Sequence, residues 1–483
     1  MKIGISRQVP NCLYNSLIAF CLKNGHKLFV VADSRISKKV KSESLIFRFL
    51  MSIESKFSGS KYSEVTLDLP ICRNIEELDT LICWEDIIPQ STYKSGLKVF
   101  TFHIDNLRID SPYSFFRFVY KKSNFKLAIK LNAETIFSFD CSAAKTYTRT
   151  REIALMKLSA CMKKVLYCKH YSNYEFKEES QLPESSIDEN IFSISLKAIV
   201  LLIRNVFHKI ANKKKQPSKS YWDICFGDRK SLEDVISAPE SLKLIKHDES
   251  RFWADPFLYK HRGCIYIFVE EFKYENKRGE IAVLKQSDSG DFTYQGIALK
   301  RNYHLSYPCI FEIDGIPFMI PESGAQKRAD LFICNEFPFA WSFQKTLLSG
   351  YNFSDTTVFH HQGLYWIFTS ASKDGFLHDE QLLLYYTDDL INGLISEHPC
   401  NPISVRRSCS RMAGGLFFSD GKLFRPAQDC SRIYGGGVKF MVIEKLSIDE
   451  YIETEFMQLK PFAEYKGTHT FNICDDLVII DAY

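Results

Sequence analysis

Two aspartates of this 483-residue chain stand in matching surroundings. Asp255 lies in FWADPFLY and Asp355 in FSDTTVFHH, and each heads an apolar run that reaches a glycine eight residues later. An aspartate at the start of a strand commonly accepts backbone N–H groups of a turn. Two carboxylates that face one cavity can instead divide acid and base roles between them. Glu322, in FMIPES, ends a second apolar run. Trp253, Tyr307, Trp366 and Tyr434 offer flat faces on which sugar C–H groups can pack, and each also suits an ordinary core. Arg411, Arg425, Gln428 and Asp429 form a polar cluster in SRMAGG and LFRPAQD, joined by His469 in THTFNICDD. An arginine fork there suits a phosphate or carboxylate, or pairs with Asp429 inside the fold. The ligand class expected is a carbohydrate or sugar phosphate, with Asp255, Glu322 and Asp355 around the reacting carbon.

A metal or nucleotide cofactor is not expected. The fifteen cysteines are scattered singly, without a C-x-x-C pair or metal-like Cys/His spacing. The GGG at 435–437 lacks the Lys-Ser/Thr that a phosphate loop needs.

The elements that must carry these residues repeat. DPFLYKHRGCIYIFVEE (255–271), YPCIFEIDGIPFMIPES (307–323), DTTVFHHQGLYWIFTSA (355–371) and AGGLFFSDGKLFRPAQD (413–429) each place glycine at the ninth position. The glycines, 263, 315, 363 and 421, are spaced 52, 48 and 58 residues apart, and each permits the positive φ of a tight hairpin. A weaker fifth unit, THTFNICDDLVIIDAY, ends the chain. A period near 50 with several strands per unit indicates a β-propeller. YWDICFG (221–227) is positioned to complete the last unit and close a five-bladed ring. Asp255, Tyr307, Asp355, Ala413 and His469 then share one slot, at the mouth of the channel. Glu271, Glu322 and Asp429 end second strands, where they reach the pocket floor or cap a hairpin.

Residues 1–170 read differently. KIGIS, KLFVVADS, LDTLICWED and LKVFTFHID are short apolar runs, with a helical pattern at 11–24 and another at 149–168. Strand, helix, strand in this order predicts an α/β domain built on a parallel sheet. Residues 171–220 form a linker. Within it, 191–215 is apolar at helical spacing and ends in lysines, the pattern of a helix packed between domains or lying on an anionic membrane surface.

Net charge is +4, from 62 basic and 58 acidic residues, too balanced to suggest nucleic acid as a partner. MKIGISRQVPN has no apolar signal core, and no uncharged apolar run of about 18 residues exists. Reduced thiols in a cytoplasm, at or near the inner membrane surface, are the expectation.

The runs FWADPFLY, HLSYPCIFEIDGIPFMIPES, FSDTTVFHHQGLYWIFTS and RMAGGLFFSDGKLFRPAQDCSRIYGGG resemble the propeller-like N-terminal domain of plant glucosamine inositolphosphorylceramide transferases and its bacterial relatives. More distantly they resemble five-bladed arabinanase- and xylosidase-type glycosidases. The resemblance covers about 220–483. It implies a carbohydrate-active protein of surface-polysaccharide or glycolipid assembly, of bacterial origin, working beside other assembly proteins. In the glycosidases an Asp opening the first blade is the base, a second Asp tunes it, and a Glu is the acid. Asp255 matches the first role by position, with Asp355 and Glu322 the candidates for the others. A glycan- or protein-binding module without catalysis is the alternative. Residues 1–170 resemble the formyltransferase-like fold. There His103 of KVFTFHIDN matches the family histidine, but Thr101 replaces its Asn. Residues 131–134 (LNAE) lack its Asp-x-Gly. The resemblance therefore implies a degenerate domain, with formyl transfer to a nucleotide-linked amino sugar as the remaining alternative.

Overall fold

The structure is a computed structural model that describes residues 221–483 apart from 229–230. Before them it describes 1–5, 11–31, 71–72, 77–83, 96–105, 107–109, 115–121, 124–144, 146–168, 197–200 and 203. Two compact units, 1–217 and 218–483, emerge from the contact pattern. Most of 171–220, including most of the amphipathic 191–215, lies outside the described residues.

The first unit holds one sheet in the strand order 71–72, 27–31, 2–5, 80–83, 98–104, 124–131, 134–142. The first five strands run parallel. The last two are antiparallel, so the sheet is mixed rather than wholly parallel as expected. Asn132 and Ala133 join the last two strands. Both take positive φ, 48° and 77°, and turn the chain back in a two-residue hairpin. The segment read against the formyltransferase Asp-x-Gly is this hairpin. The predicted helix at 149–168 spans Tyr147–Tyr167, where the Thr146 hydroxyl accepts the Arg149 N–H as an N-cap.

The second unit is a five-bladed propeller. Blade one comprises Arg251–His261, Cys264–Lys273, Arg278–Gln286 and Phe292–Leu299. Blade two comprises Ser306–Ile313, Ile316–Glu322, Arg328–Glu336 and Ala340–Ser349. Blade three comprises Phe353–His361, Leu364–Ala371, Leu382–Thr387 and Ser396–Glu397. Blade four has an inner strand broken into Arg411–Met412 and Phe417–Ser419, then Lys422–Gln428, Val438–Leu446 and Tyr451–Leu459. Blade five takes Phe471–Cys474 and Leu477–Ala482 from the chain end. Asp223–Asp228 and Lys243–Ile245 complete it from the start of the unit. Leu477 pairs with Asp228 and Ala482 with Asp223, so chain start and chain end close the ring.

Each blade buries its faces against its neighbours. Ile224, Ile479, Trp253, Ile267 and Val269 pack between blades five and one. Phe318, Ile320, Leu331, Val358 and Ile367 pack between blades two and three. Inner hairpins turn on pairs such as Asp314–Gly315 (φ 51° and 78°) and Asp420–Gly421 (49° and 73°), the geometry a two-residue hairpin needs. Eleven described cysteines are free thiols.

Candidate functional site

The inner strands of blades one to three share one irregularity. Register slips between Ala254 and Phe257, between Ser306 and Cys309, and between Ser354 and Thr357. At each slip the first bulged residue is left-handed: Asp255 (φ 51°), Tyr307 (43°) and Asp355 (51°). A bulge leaves one residue unpaired and re-aims its side chain. The repeated slot therefore turns away from the sheet toward the propeller axis. In blade four the slip widens into a break of the strand at Gly414 (φ 130°), beside Ala413.

A cavity of about 330 Å³ opens beside these slots, lined by Asp255, Glu270, Glu322, Arg411 and Tyr434 among others. Asp255 is buried. Its carboxylate accepts the Tyr307 N–H at 3.1 Å and the Thr470 hydroxyl at 3.1 Å, and its own N–H donates to Asp481 at 3.0 Å. Burial pushes the Asp255 carboxyl up to about 7. His469 opposes that rise, whereas Glu270, Asp481 and Asp355 add to it. Glu322 accepts the Asp355 N–H at 3.0 Å and the Ser354 hydroxyl at 3.4 Å. Burial and the neighbouring Asp355 charge hold its carboxyl well above the usual carboxylate range, against Arg411 at 3.4 Å.

Asp355 shares the slot but not the cavity wall. Arg411 grips it through Nε and Nη2, and Gln428 donates to it at 2.9 Å. The Arg411 guanidinium lies 5.0 Å from the centre of the Tyr434 ring, within cation–π reach. Tyr434 is 45% exposed and presents an aromatic face at the cavity.

The remaining sequence candidates distribute as follows. His469 is buried between Asp481 and Asp255. Tyr307 is buried, its hydroxyl bonded to Thr357 at 2.9 Å and to the Gly414 N–H at 2.8 Å, so it ties blades together rather than facing a ligand. Trp253 points into the packing between blades, where its indole N–H donates to Glu271 at 3.2 Å. Arg425 is fully buried in blade four and forked onto Glu453 at 2.8 Å through both Nε and Nη2, away from the cavity. Its partner is Glu453 and not Asp429. Asp429 accepts from Ser431 and from Gln458 at the end of its strand. Trp366 is a core residue. In the first unit, the His103 Nε2 and the Thr101 hydroxyl are 3.1 Å apart, side by side on strand Lys98–Ile104.

Sequence reasoning missed Glu270, His304, Ser306, Asn352, Ser354 and His378, all on the cavity wall. On the second strand of blade one the cavity residue is Glu270 and not Glu271. Alternation sends Glu270 to the cavity, beside His304 at 3.2 Å. Glu271 faces away, to Arg251 and Lys273. Ser306 and Ser354 each precede a slot residue, a repeated Ser that was readable in HLSYP and NFSDT.

Among the described residues, Asp255, His469 and Asp481 bring three ligand-type atoms within 4.8 Å of one another. Both ring nitrogens of His469 face carboxylates, Nδ1 toward Asp481 and Nε2 toward Asp255.

Residues 241–475 match the family defined by the N-terminal domain of glucosamine inositolphosphorylceramide transferase 1. The rice (Oryza sativa subsp. japonica) protein of that name is 36% identical over 208 residues, 42% of this chain and 28% of its own length. The Arabidopsis thaliana protein is 36% identical over 236 residues, 46% of this chain and 29% of its own. The chain thus spans less than a third of these relatives. Both are plant proteins, and they lend no support to the bacterial origin expected. Among solved structures, the family 117 glycoside hydrolase Zg3597 of Zobellia galactanivorans aligns with TM-score 0.37 at 11% identity. That alignment covers 54% of this chain and 90% of the hydrolase. The catalytic domain of a Coprinopsis cinerea family 62 α-L-arabinofuranosidase aligns with TM-score 0.36 at 13% identity, over 49% and 93%. The propeller half therefore resembles the N-terminal domain of the inositolphosphorylceramide transferases.

Proposed function

We propose that the propeller is a carbohydrate-active module that binds a glycosyl unit in its axial cavity and acts on it with Asp255 and Glu322. The observation that carries this reading is that both carboxyls line the cavity and are held above their ordinary range. Glu322, held well above the usual carboxylate range, is the group suited to donate a proton to a departing glycosidic oxygen. Asp255, near 7, is balanced to accept one from water or from an acceptor hydroxyl. Asp355 works at one remove, since its charge raises Glu322 while Arg411 and Gln428 hold it in place. Tyr434 supplies the aromatic face on which a sugar ring stacks. The glycolipid transferases that the chain resembles point to glycolipid or polysaccharide assembly as the setting.

The test is ligand-detected NMR of the full chain against mono- and disaccharides, followed by turnover assays with aryl glycosides and sugar nucleotides. Asp255→Asn is expected to abolish product while leaving the fold intact. Full activity in that variant ends the catalytic assignment. Sugar binding without product in the wild type selects the non-catalytic reading.

Two subsidiary proposals attach to the first unit. Attachment to the cytoplasmic face of a membrane through 191–215 is checked by flotation with anionic vesicles. Formyl transfer rests on His103 alone, with Thr101 in place of the family Asn, and is checked by formyl-tetrahydrofolate consumption with amino sugars, lost in His103→Ala.

A further inference from the structure

His469 precedes the inner strand of blade five, at the last of the five slots. Its ring is enclosed. Trp222 stacks on it at 3.9 Å between centroids, and Tyr434 meets it edge-on at 5.4 Å. Gly435 approaches so closely that an added Cβ would lie 3.1 Å from His469 Cβ. The two ring nitrogens face two carboxylates: Nδ1 is 2.6 Å from Asp481 and Nε2 is 3.4 Å from Asp255. A neutral imidazole has one N–H and one lone pair, so either tautomer would set a lone pair against a carboxylate. Only the imidazolium donates to both.

Asp481 anchors this arrangement. Besides the ring, it accepts the backbone N–H of His469 at 3.0 Å, of Thr470 at 2.9 Å and of Asp255 at 3.0 Å. One carboxylate on the closing strand thus fixes both the histidine and the backbone of the bulge that presents Asp255.

We propose that His469 is a positioning residue of the cavity, held as an imidazolium by Asp481, that orients Asp255 and sets the pH at which its carboxyl carries charge. This rests on the reading that Asp255 acts on a ligand in the cavity. The ionisable groups facing Asp255 are His469, Asp481, Glu270 and Asp355. Those facing His469 are Asp481, Asp255 and Asp355, with Trp222 and Tyr434 as its apolar walls. Of the groups around Asp255, the three acids favour its neutral form, and His469 favours the anion. Removing the cation therefore moves Asp255 toward protonation at higher pH.

The experiment is a pH titration of the full chain labelled with ¹⁵N-histidine, observed through the ring nitrogens of its 12 histidines. His469→Gln identifies the resonance by its loss. Should that variant not fold, the perturbation in Asp255→Asn identifies it instead. The expected wild-type result is a ring protonated on both nitrogens at pH 7, losing its proton near pH 9. Asp481→Asn should lower that pH by at least about one unit, a tenfold loss of proton affinity. A single neutral tautomer at pH 7 overturns the proposal. So does replacement of a ring proton on adding Zn²⁺, which would mark a metal ligand. A second arm measures the pH profile of ligand binding or turnover, whose acidic limb should move to higher pH in His469→Gln. No binding or turnover at any pH, with the doubly protonated ring intact, overturns the functional reading and leaves the Asp481–His469 pairing standing.

Discussion

Asp255 and Asp355 occupy the same bulge two blades apart, both at φ 51°, and meet opposite surroundings. Asp255 lines the cavity and is held by a backbone N–H, a hydroxyl and His469. Asp355 is sealed behind Arg411 and Gln428. One backbone device serves two ends because the neighbouring blades differ. Blade four brings an arginine over Asp355, whereas blade five brings a histidine and a threonine to Asp255.

Arg411→Met should therefore be severe. It leaves Asp355 and Glu322 buried side by side without their shared cation. Breaking a buried ion pair from one side costs about 3–5 kcal/mol, because the remaining charge is uncompensated. Urea denaturation of the propeller transition reads this directly. A loss below about 1 kcal/mol would show that Asp355 and Glu322 do not depend on Arg411.

Two glycines of blade four should separate cleanly. Gly414 (φ 130°) sits where an added Cβ would lie 2.1 Å from the Phe471 carbonyl oxygen, at the break that seats the Tyr307 hydroxyl. Gly414→Ala combines backbone strain with a clash against main chain and should cost about 2–4 kcal/mol. Gly421 (φ 73°) meets nothing within 4 Å, so Gly421→Ala should cost only about 1–2 kcal/mol for the left-handed backbone. Thermal melts of the two variants check the ranking, and equal losses would contradict the crowding at Gly414.

The legible part of this fold was what repetition writes into the chain. Glycine at the ninth position of each unit announced the hairpins, and the hairpins gave the blades and the shared slot. The ring closure was readable because 221–227 carried a strand without a unit and the last unit lacked outer strands. What could not be read was phase and partner. Glu270 and Glu271 differ by one residue, and alternation alone decides which faces the cavity. Arg425 lies four residues from Asp429 in sequence, yet its fork is filled by Glu453 from the outermost strand, a pairing set by sheet register. The antiparallel end of the first unit's sheet includes a hairpin at Asn132 and Ala133, inside the stretch compared with a family motif.

The Arg425–Glu453 pair makes an asymmetric prediction. Arg425 is fully buried and Glu453 nearly so, with the Tyr451 hydroxyl donating to Glu453 at 2.6 Å. Glu453→Gln removes the countercharge of a buried guanidinium and should destabilise by about 3–5 kcal/mol. Replacing both partners, Arg425→Met with Glu453→Leu, removes the desolvated charges together. It should lie within about 2 kcal/mol of wild type, with the Tyr451 hydroxyl and the Cys409 carbonyl left unpaired. Chemical denaturation of both variants tests this. A double variant as unstable as the single would mean that the pair contributes more than its desolvation costs.

Asp255 and His469 should each withdraw stability from the propeller as pH rises, over separate pH ranges. Burial holds the Asp255 carboxyl near 7, against 3.8 for an unperturbed aspartate. The native state thus keeps that proton when the unfolded chain has released it, and the advantage is lost as pH climbs through 7. Asp481 and Asp255 raise His469 to about 9 from 6.5, outweighing its burial. That contribution is fully present below pH 6.5 and is lost as pH rises through 9. Asp255→Asn should flatten the lower step and leave the upper one smaller, since one of the three anions facing His469 is gone. His469→Gln should abolish the upper step. Tryptophan fluorescence melts follow the propeller selectively, because four of the five tryptophans lie in 221–483. A wild-type melting temperature that stays level between pH 7 and pH 10 would show that His469 carries no charge the fold depends on.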